Sequence, residues 1–155
     1  MNNTTGHLFD LALAAEEEAR DFYRELARKF QHLPEVASIW EDLQTDEEAH
    51  IQALLNVRSE LTPEQLQAPV DVDVMWKAQA MQDFSVEKGL EVSETLTDAY
   101  QLAHDLEHSE VNTVFEFIMI EFIDQANQRT FVASQLREHL AKLEQMRSLL
   151  GRVNG

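Results

Sequence analysis

Hydrophobic residues recur along the chain at steps of three and four positions, the period of a helix with one buried face. The pattern predicts four long helices, at about residues 5–30, 34–60, 93–119 and 124–150. The segment "QHLPE" separates the first two, because Pro34 suits the first turn of a helix. Only four Gly and three Pro are present in 155 residues, which also favours helices. The sequence therefore predicts an all-α fold.

A long connection, residues 61–92, joins the second and third predicted helices. Its first half, "LTPEQLQAPVDVDV", is marked by prolines, and a helical turn is predicted after Thr62. Residues 75–90 form an irregular helical pattern, in which Gly89 predicts a bend. Two helical hairpins joined by one long connection make a four-helix bundle with a crossover. We expect residues 1–155 to form a single domain.

The turn between the third and fourth predicted helices has little signal. Residues 115–128, "FEFIMIEFIDQANQ", contain no Gly or Pro, and Asp124 is the best available N-cap. One uninterrupted helix over residues 93–150, exchanged between subunits, is the alternative. The apolar run "VFEFIMIEFI" also suits contact with a second copy of the chain. We therefore expect a homodimer.

The charge and the cysteine content exclude several classes of function. A formal net charge of −17 makes nucleic acid and anionic membranes poor partners. The chain has no cysteine, which excludes disulfides, thiolate metal sites and cysteine nucleophiles. The first residues lack a basic region followed by an apolar run, and no stretch approaches transmembrane length. We expect a cytoplasmic protein that binds neither nucleic acid nor membranes.

Acidic or imidazole side chains interrupt each predicted hydrophobic face. In chain order they are Glu16, Glu47, His50, Glu107, Glu110 and His139. An unpaired carboxylate in a core costs several kcal/mol, so these positions require a reason. The spacing of Glu47 and His50 places both on the same face of one helix.

These residues also lie at matching heights in the predicted hairpins. The midpoints of Glu16 with Glu47 and with His50 fall between residues 31 and 33, in the first turn. The midpoint of Glu107 and His139 is residue 123, in the second turn if that turn exists. Four carboxylates and up to two imidazoles are therefore predicted to meet near the middle of the bundle.

A metal site explains this convergence better than a set of separate core residues. None of the inward positions is Lys or Arg, so the carboxylates would repel one another or take up protons. Two divalent cations would neutralise four carboxylates. Carboxylate and imidazole ligands without sulfur suit iron or manganese, and zinc less diagnostically. A single Glu at the edge of a face, or one buried His, would need no metal; the prediction rests on several residues meeting. His104 and His108 are read as surface residues.

Three stretches resemble the rubrerythrin-like branch of the ferritin-like superfamily. "EEEARDFY" (16–23) is similar to its first-helix pattern, "EEAH" (47–50) to its second-helix Glu-x-x-His, and "LEHSE" (106–110) to its third-helix Glu-x-x-Glu. The resemblance implies a ferritin-like four-helix bundle with a dinuclear iron centre. It also implies oxidation of ferrous iron and reduction of peroxide. The ligands it implies are Glu16, Glu47, His50 and Glu107, with Glu110 as an additional one.

Two departures from that family pattern concern the second metal and the electron supply. The fourth helix should carry a second Glu-x-x-His, but Leu136 lies three residues before His139. Glu138 directly precedes His139 in sequence, but it points about 100° away from His139 around the helix axis. Substitutes that need a different helix placement are Glu144 or the pair Glu121 and Asp124. The second metal is then weakly held, differently held or absent. Without cysteine there is no rubredoxin-like iron site, so an enzyme would need an external electron donor.

Three hypotheses of function follow, and whether the chain is an enzyme stays open among them. The first is a diiron oxidoreductase that acts on ferrous iron and a small oxidant, dioxygen or peroxide. In it Tyr23, seven residues after Glu16, is a hydrogen-bond donor behind the ligands or a redox-active residue. The second is a non-catalytic iron carrier or storage-assembly subunit. The third is a helical interaction module with a degenerate metal site.

Overall fold

The first two long helices form an antiparallel hairpin, as predicted. The structure is a computed structural model that describes residues 2–122 and 126–153, with side chains described except at 110–111, 126–132 and 153. Helix α1 spans Thr5–Lys29 and α2 spans Pro34–Ser59. The hydroxyl of Thr4 accepts a hydrogen bond from the backbone N–H of His7 at 3.2 Å, which caps the start of α1. Pro34 occupies the first turn of α2, where its missing N–H costs nothing.

Short helices make up the crossover that follows α2. They are α3 (Pro63–Gln67), α4 (Val72–Ala80), a 3₁₀ turn (Met81–Asp83) and α5 (Val86–Val92). Thr62 begins α3 with a capping box, so the predicted helical turn is confirmed.

The bend predicted at Gly89 is wrong, because this residue lies inside α5. The helical pattern is interrupted earlier, at Phe84 and Ser85. A Cβ atom at Gly89 would lie 3.1 Å from the Phe22 ring and 3.2 Å from the Phe84 ring. Glycine is therefore needed for the close approach of α5 to α1, and not for a turn.

The third predicted helix, residues 93–119, is in fact two helices. Helix α6 spans Leu96–Glu107 and α7 spans Glu110–Phe122. The hydroxyl and N–H of Ser109 both donate to the carbonyl of Leu106, and the Asn112 amide donates to the carbonyl of Glu107 at 2.7 Å. Side chains thus bond carbonyl groups that a continuous helix would bond itself. This break also excludes the alternative of one uninterrupted helix over residues 93–150.

Helix α8, Ala126–Val153, completes the bundle and packs against α2 and α6. The predicted start at Asp124 lies outside the described residues. The all-α four-helix bundle is confirmed, with α1, α2, the pair α6 and α7, and α8 as its four members. Across the described ranges, no helix is long and apolar enough to cross a membrane.

The interior beside the acidic residues is filled by large aromatic side chains. Phe22, Tyr23 and Trp40 are fully buried, and the Tyr23 and Trp40 rings stack at 5.9 Å between centroids. Burying each such side chain stabilises the fold by about 1.5–3 kcal/mol. The packing also keeps water away from the polar residues at the same level of the bundle.

Candidate metal centre

The structure brings together five of the six residues that the sequence predicts as ligands. Helix α1 contributes Glu16, α2 contributes Glu47 and His50, α6 contributes Glu107, and α8 contributes His139. Their exposed fractions lie between 0% and 4%, so all five are inside the bundle. Each projects inward because it occupies a helical position among apolar neighbours.

These five residues form two groups that share Glu47. The first group is Glu16, Glu47 and His50; the second is Glu47, Glu107 and His139. In each group the candidate ligand atoms lie within 4.8 Å of one another. Nδ1 of His50 is 3.5 Å from Oε2 of Glu16 and 3.4 Å from Oε2 of Glu47. Nε2 of His139 is 2.8 Å from Oε1 of both Glu47 and Glu107.

Several polar atoms in these groups have no hydrogen-bond partner among the described residues. They are both carboxylate oxygens of Glu16, Oε2 of Glu47, Nδ1 of His50 and Nε2 of His139; the two nitrogens lie close to carboxylate oxygens, but not in hydrogen-bond geometry. An unsatisfied buried polar atom costs about 1–3 kcal/mol, and more when it is charged. Carboxylate oxygens and imidazole nitrogens grouped in threes fit a metal cation, which would displace protons from the imidazoles. The residues present therefore fit two metal ions, and Glu47 would be available to both.

Two side chains behind Glu107 fix the direction of its carboxylate. The Tyr23 hydroxyl donates a hydrogen bond to Oε1. The Asn112 amide donates to Oε2 at 2.9 Å. Burial, together with the charges of Glu107 and Glu47, raises the pKa of Tyr23 well above its usual value. The Tyr23 hydroxyl therefore keeps its proton at neutral pH and donates a hydrogen bond to the Glu107 carboxylate.

Asp46 and Lys142 fix the orientation of His139. Oδ2 of Asp46 lies 3.0 Å from Nδ1 of His139, and Lys142 Nζ lies 2.8 and 2.9 Å from the two Asp46 oxygens. Burial acts to raise the pKa of Asp46, but the bonds to His139 and Lys142 lower it below its usual value. The ionised carboxylate accepts the Nδ1 proton, which leaves Nε2 to face Glu47 and Glu107.

Substituting Asp46 by Asn should weaken metal binding at the second group without affecting the first. The amide cannot hold His139 and pair with Lys142 as a carboxylate does, and loss of such support costs about 10–100-fold in metal affinity. Metal titration of the variant, with Asp42→Asn as the control on an exposed position of α2, measures this. Equal affinities in the two variants would contradict the role given to Asp46.

Protonated imidazoles supply the positive charge that the sequence did not reveal. Burial and the neighbouring Glu47 raise the pKa of Glu16 well above its usual value. Burial disfavours the charged form of His50, but Glu16 and Glu47 outweigh it and raise its pKa to about 10. Glu107, Asp46 and Glu47 likewise outweigh burial and raise the pKa of His139. Without metal, the two imidazoles therefore carry protons at neutral pH.

The metal-free protein should become less stable as the pH rises from 7 to 10. An imidazole with an unfolded pKa of about 6.5 and a raised folded pKa stabilises the fold below pH 6.5. That stability is lost as the pH passes through the folded pKa, about 10 for His50. Thermal melts should show a falling Tm, with a shallower slope in His50→Gln. The opposite slope is expected with saturating divalent metal, because metal competes with fewer protons at higher pH. A level Tm in the metal-free protein would contradict the assignment.

Among the described side chains, the other acids considered as ligands belong to neither group. Glu121, Glu138 and Glu144 are exposed, and Leu136 occupies a buried position where the family pattern expects Glu. The side chain of Glu110 lies outside the described side chains, and Asp124 outside the described residues.

Sequence reasoning missed three supporting residues: Asp46, Asn112 and Lys142. The partners of Asp46 lie 93 and 96 positions further along the chain. The sequence signal for Asp46 was therefore only its position directly before Glu47. Asn112 reaches Glu107 across the break between α6 and α7, which helical periodicity does not predict.

A four-helix bundle whose facing helices project carboxylates and imidazoles into its core is the architecture of the ferritin-like metal proteins. The sequence profile of the Rubrerythrin family matches residues 8–133. The chain therefore belongs to the Rubrerythrin family, and the resemblance found in the sequence is confirmed. The match ends before His139, whose place in the site rests on the structure. Neither the curated proteins nor the solved structures give a significant match.

Proposed function

We propose that the chain is a diiron oxidoreductase that oxidises ferrous iron with dioxygen or peroxide as the electron acceptor. The observation that carries the proposal is the pair of buried ligand groups that share Glu47 and leave donor atoms without partners. Membership of the Rubrerythrin family supports iron as the metal.

The five residues can be assigned to two metal ions. Glu16 and His50 would hold one ion, Glu107 and His139 the other, and Glu47 would bind both. Iron supplies one-electron redox chemistry when bound. Metal uptake would displace the protons that His50 and His139 carry in the metal-free state, so binding is linked to proton release. Ligand burial keeps bulk water out and limits the oxidant to a small molecule.

Electrons for repeated turnover would come from outside the chain. The chain contains no cysteine and so no thiolate iron site of its own. If fresh ferrous iron replaces the oxidised ions, that iron supplies the electrons; if the same irons stay bound, an external electron donor would be needed to reduce them after each reaction with oxidant.

An anaerobic titration of metal-free protein with ferrous iron tests the proposal. Two irons bound per chain, followed by ferric absorption on adding peroxide, are expected. Repeated peroxide consumption in the presence of a reductant would identify an enzyme. Binding of no iron would contradict the proposal and favour the interaction module. A single iron would point to a half-site around Glu16, Glu47 and His50.

A non-catalytic iron carrier is the second candidate, and the donor set favours it in one respect. The two groups contain three carboxylates against the four positive charges of two ferrous ions. Without a carboxylate at position 136, the second ion would be held less firmly and released more easily. A carrier would load two irons and return them to a chelator, with no peroxide consumption beyond one reaction.

The homodimer remains a proposal, to be measured separately from iron binding. Ile120, in the apolar run of α7, is 46% exposed, and Trp76 of α4 is 62% exposed. Apolar side chains exposed in this way suit contact with a second copy. Light scattering coupled to gel filtration gives the mass, and a monomer at micromolar concentration would contradict the proposal.

A further inference from the structure

A gap between two helices leads toward the buried ligand groups. A cavity of about 50 Å³ lies between α2 and α8, with room for a few water molecules. Its lining residues are Asp46, Ala49 and His50 of α2 and Gln135 and Glu138 of α8. His50, which is 2% exposed, is a member of the first ligand group, so the cavity reaches the candidate metal centre.

The lining of this cavity is polar and becomes more buried toward the centre. Glu138 and Ala49 are exposed, Asp46 and Gln135 are half-buried, and His50 is buried. A carboxylate at the outer end, polar side chains along the wall and a member of the first ligand group at the inner end suit the passage of a hydrated cation.

Two larger cavities do not offer the same route. One, of about 610 Å³, lies beside Pro34 and Leu149, near the start of α2 and the end of α8. The other, of about 360 Å³, is lined mainly by apolar residues such as Met81 and Phe84. Neither has a member of the two ligand groups among its lining residues.

Ala49 and Glu138 contribute different properties to the opening. Ala49 has only a methyl group, so it leaves a gap that a longer side chain would fill. The charge of Asp46 is compensated by Lys142, whose Nζ lies 2.8 Å from Oδ1. Glu138 therefore supplies the negative charge at the outer end that attracts a cation from solution.

We propose that the opening between α2 and α8 is the path by which ferrous ions reach the centre, with Ala49 setting its width and Glu138 attracting the cation. This inference rests on the proposed function, since it requires a centre that takes up metal. It assigns a role to Ala49 and Glu138, which are members of neither ligand group.

Stopped-flow uptake of Co²⁺ by metal-free protein tests the path by a rate and not by activity. Co²⁺ has the same charge as ferrous iron and absorbs visible light when bound. Ala49→Leu should slow uptake about tenfold without changing the number of ions finally bound. Ala49→Gly should not slow it. Ala141→Leu, which adds the same side chain at an exposed position of α8 outside the cavity, should load at the unmodified rate.

Glu138→Gln provides an independent measurement that leaves the width unchanged. Uptake should be slower at low ionic strength, and the difference should disappear at high salt, where the attraction is screened. If Ala49→Leu also changes the number of ions bound, the uptake rate of Glu138→Gln tests the entry path instead. If Ala49→Leu and Glu138→Gln both take up Co²⁺ at the rate of the unmodified protein, the proposed entry path is wrong, while the proposed function is unaffected. No uptake by the unmodified protein would overturn both.

Discussion

Replacing Glu47 by Gln is expected to abolish binding of both metal ions, because Glu47 is the one residue common to the two ligand groups. Glutamine keeps the size of the side chain but removes its charge and one of its strong acceptor oxygens. Under conditions in which the unmodified chain binds two ferrous ions, the variant should bind fewer than one. Anaerobic titration gives the number directly.

The same substitution should also destabilise the metal-free protein, by about 2 kcal/mol. From the sequence, with no Lys or Arg among the inward positions, removal of Glu47 would be expected to relieve repulsion between carboxylates. In the structure Glu47 contacts both His50 and His139, whose raised pKa values make them cations. Glu48→Gln, on the next and exposed residue, is the matched control. Two irons still bound by Glu47→Gln would remove Glu47 from the centre.

Replacing Leu136 by Glu should give the second metal position the carboxylate that it lacks. Leu136 is 7% exposed and lies one helical turn before His139, so a glutamate there projects to the same side of α8. We expect tighter binding of the second ion by about a hundredfold, or roughly 2.7 kcal/mol. Without metal, a further buried carboxylate should lower the stability by several kcal/mol. Saturating metal should restore it.

Leu136→Gln separates charge from polarity in that experiment. Glutamine has nearly the same shape as glutamate and also disrupts the apolar packing, but brings no negative charge. The Leu136→Gln variant should be less stable than the unmodified protein and should show no gain in affinity for the second ion. If the two variants bind metal equally well, position 136 does not face the second group, and the carrier hypothesis loses its structural basis.

The first hairpin was predictable because nothing interrupts its helical register. Pro34 fixes where α2 starts, so counting from the turn places Glu16 level with Glu47 and His50. The 3.6-residue period then gives the inward face of each helix. Fold class and the first ligand group therefore follow from local rules applied to one uninterrupted pair of helices.

The second half of the bundle depends on interactions that those local rules do not contain. Ser109 and Asn112 end one helix and start another through side-chain bonds, with no Gly or Pro as a signal. Beyond the break, Phe115 of α7 is buried, whereas Phe117 is half-buried. Asp46 could be assigned to His139 only once α8 was placed beside α2.

The end of α6 at Glu107 affects the electrostatic field at the candidate metal centre. The C-terminal end of a helix carries roughly half a negative elementary charge, which arises from aligned peptide dipoles. Because α6 stops at a candidate ligand, this partial charge lies beside the group that lacks a carboxylate at Leu136. A continuous helix through position 108 would have placed no such pole there. Helix α7 begins at Glu110, so its positive N-terminal pole lies three residues further along the chain, and the net backbone field on a cation at the second group is the difference between two opposed helix ends.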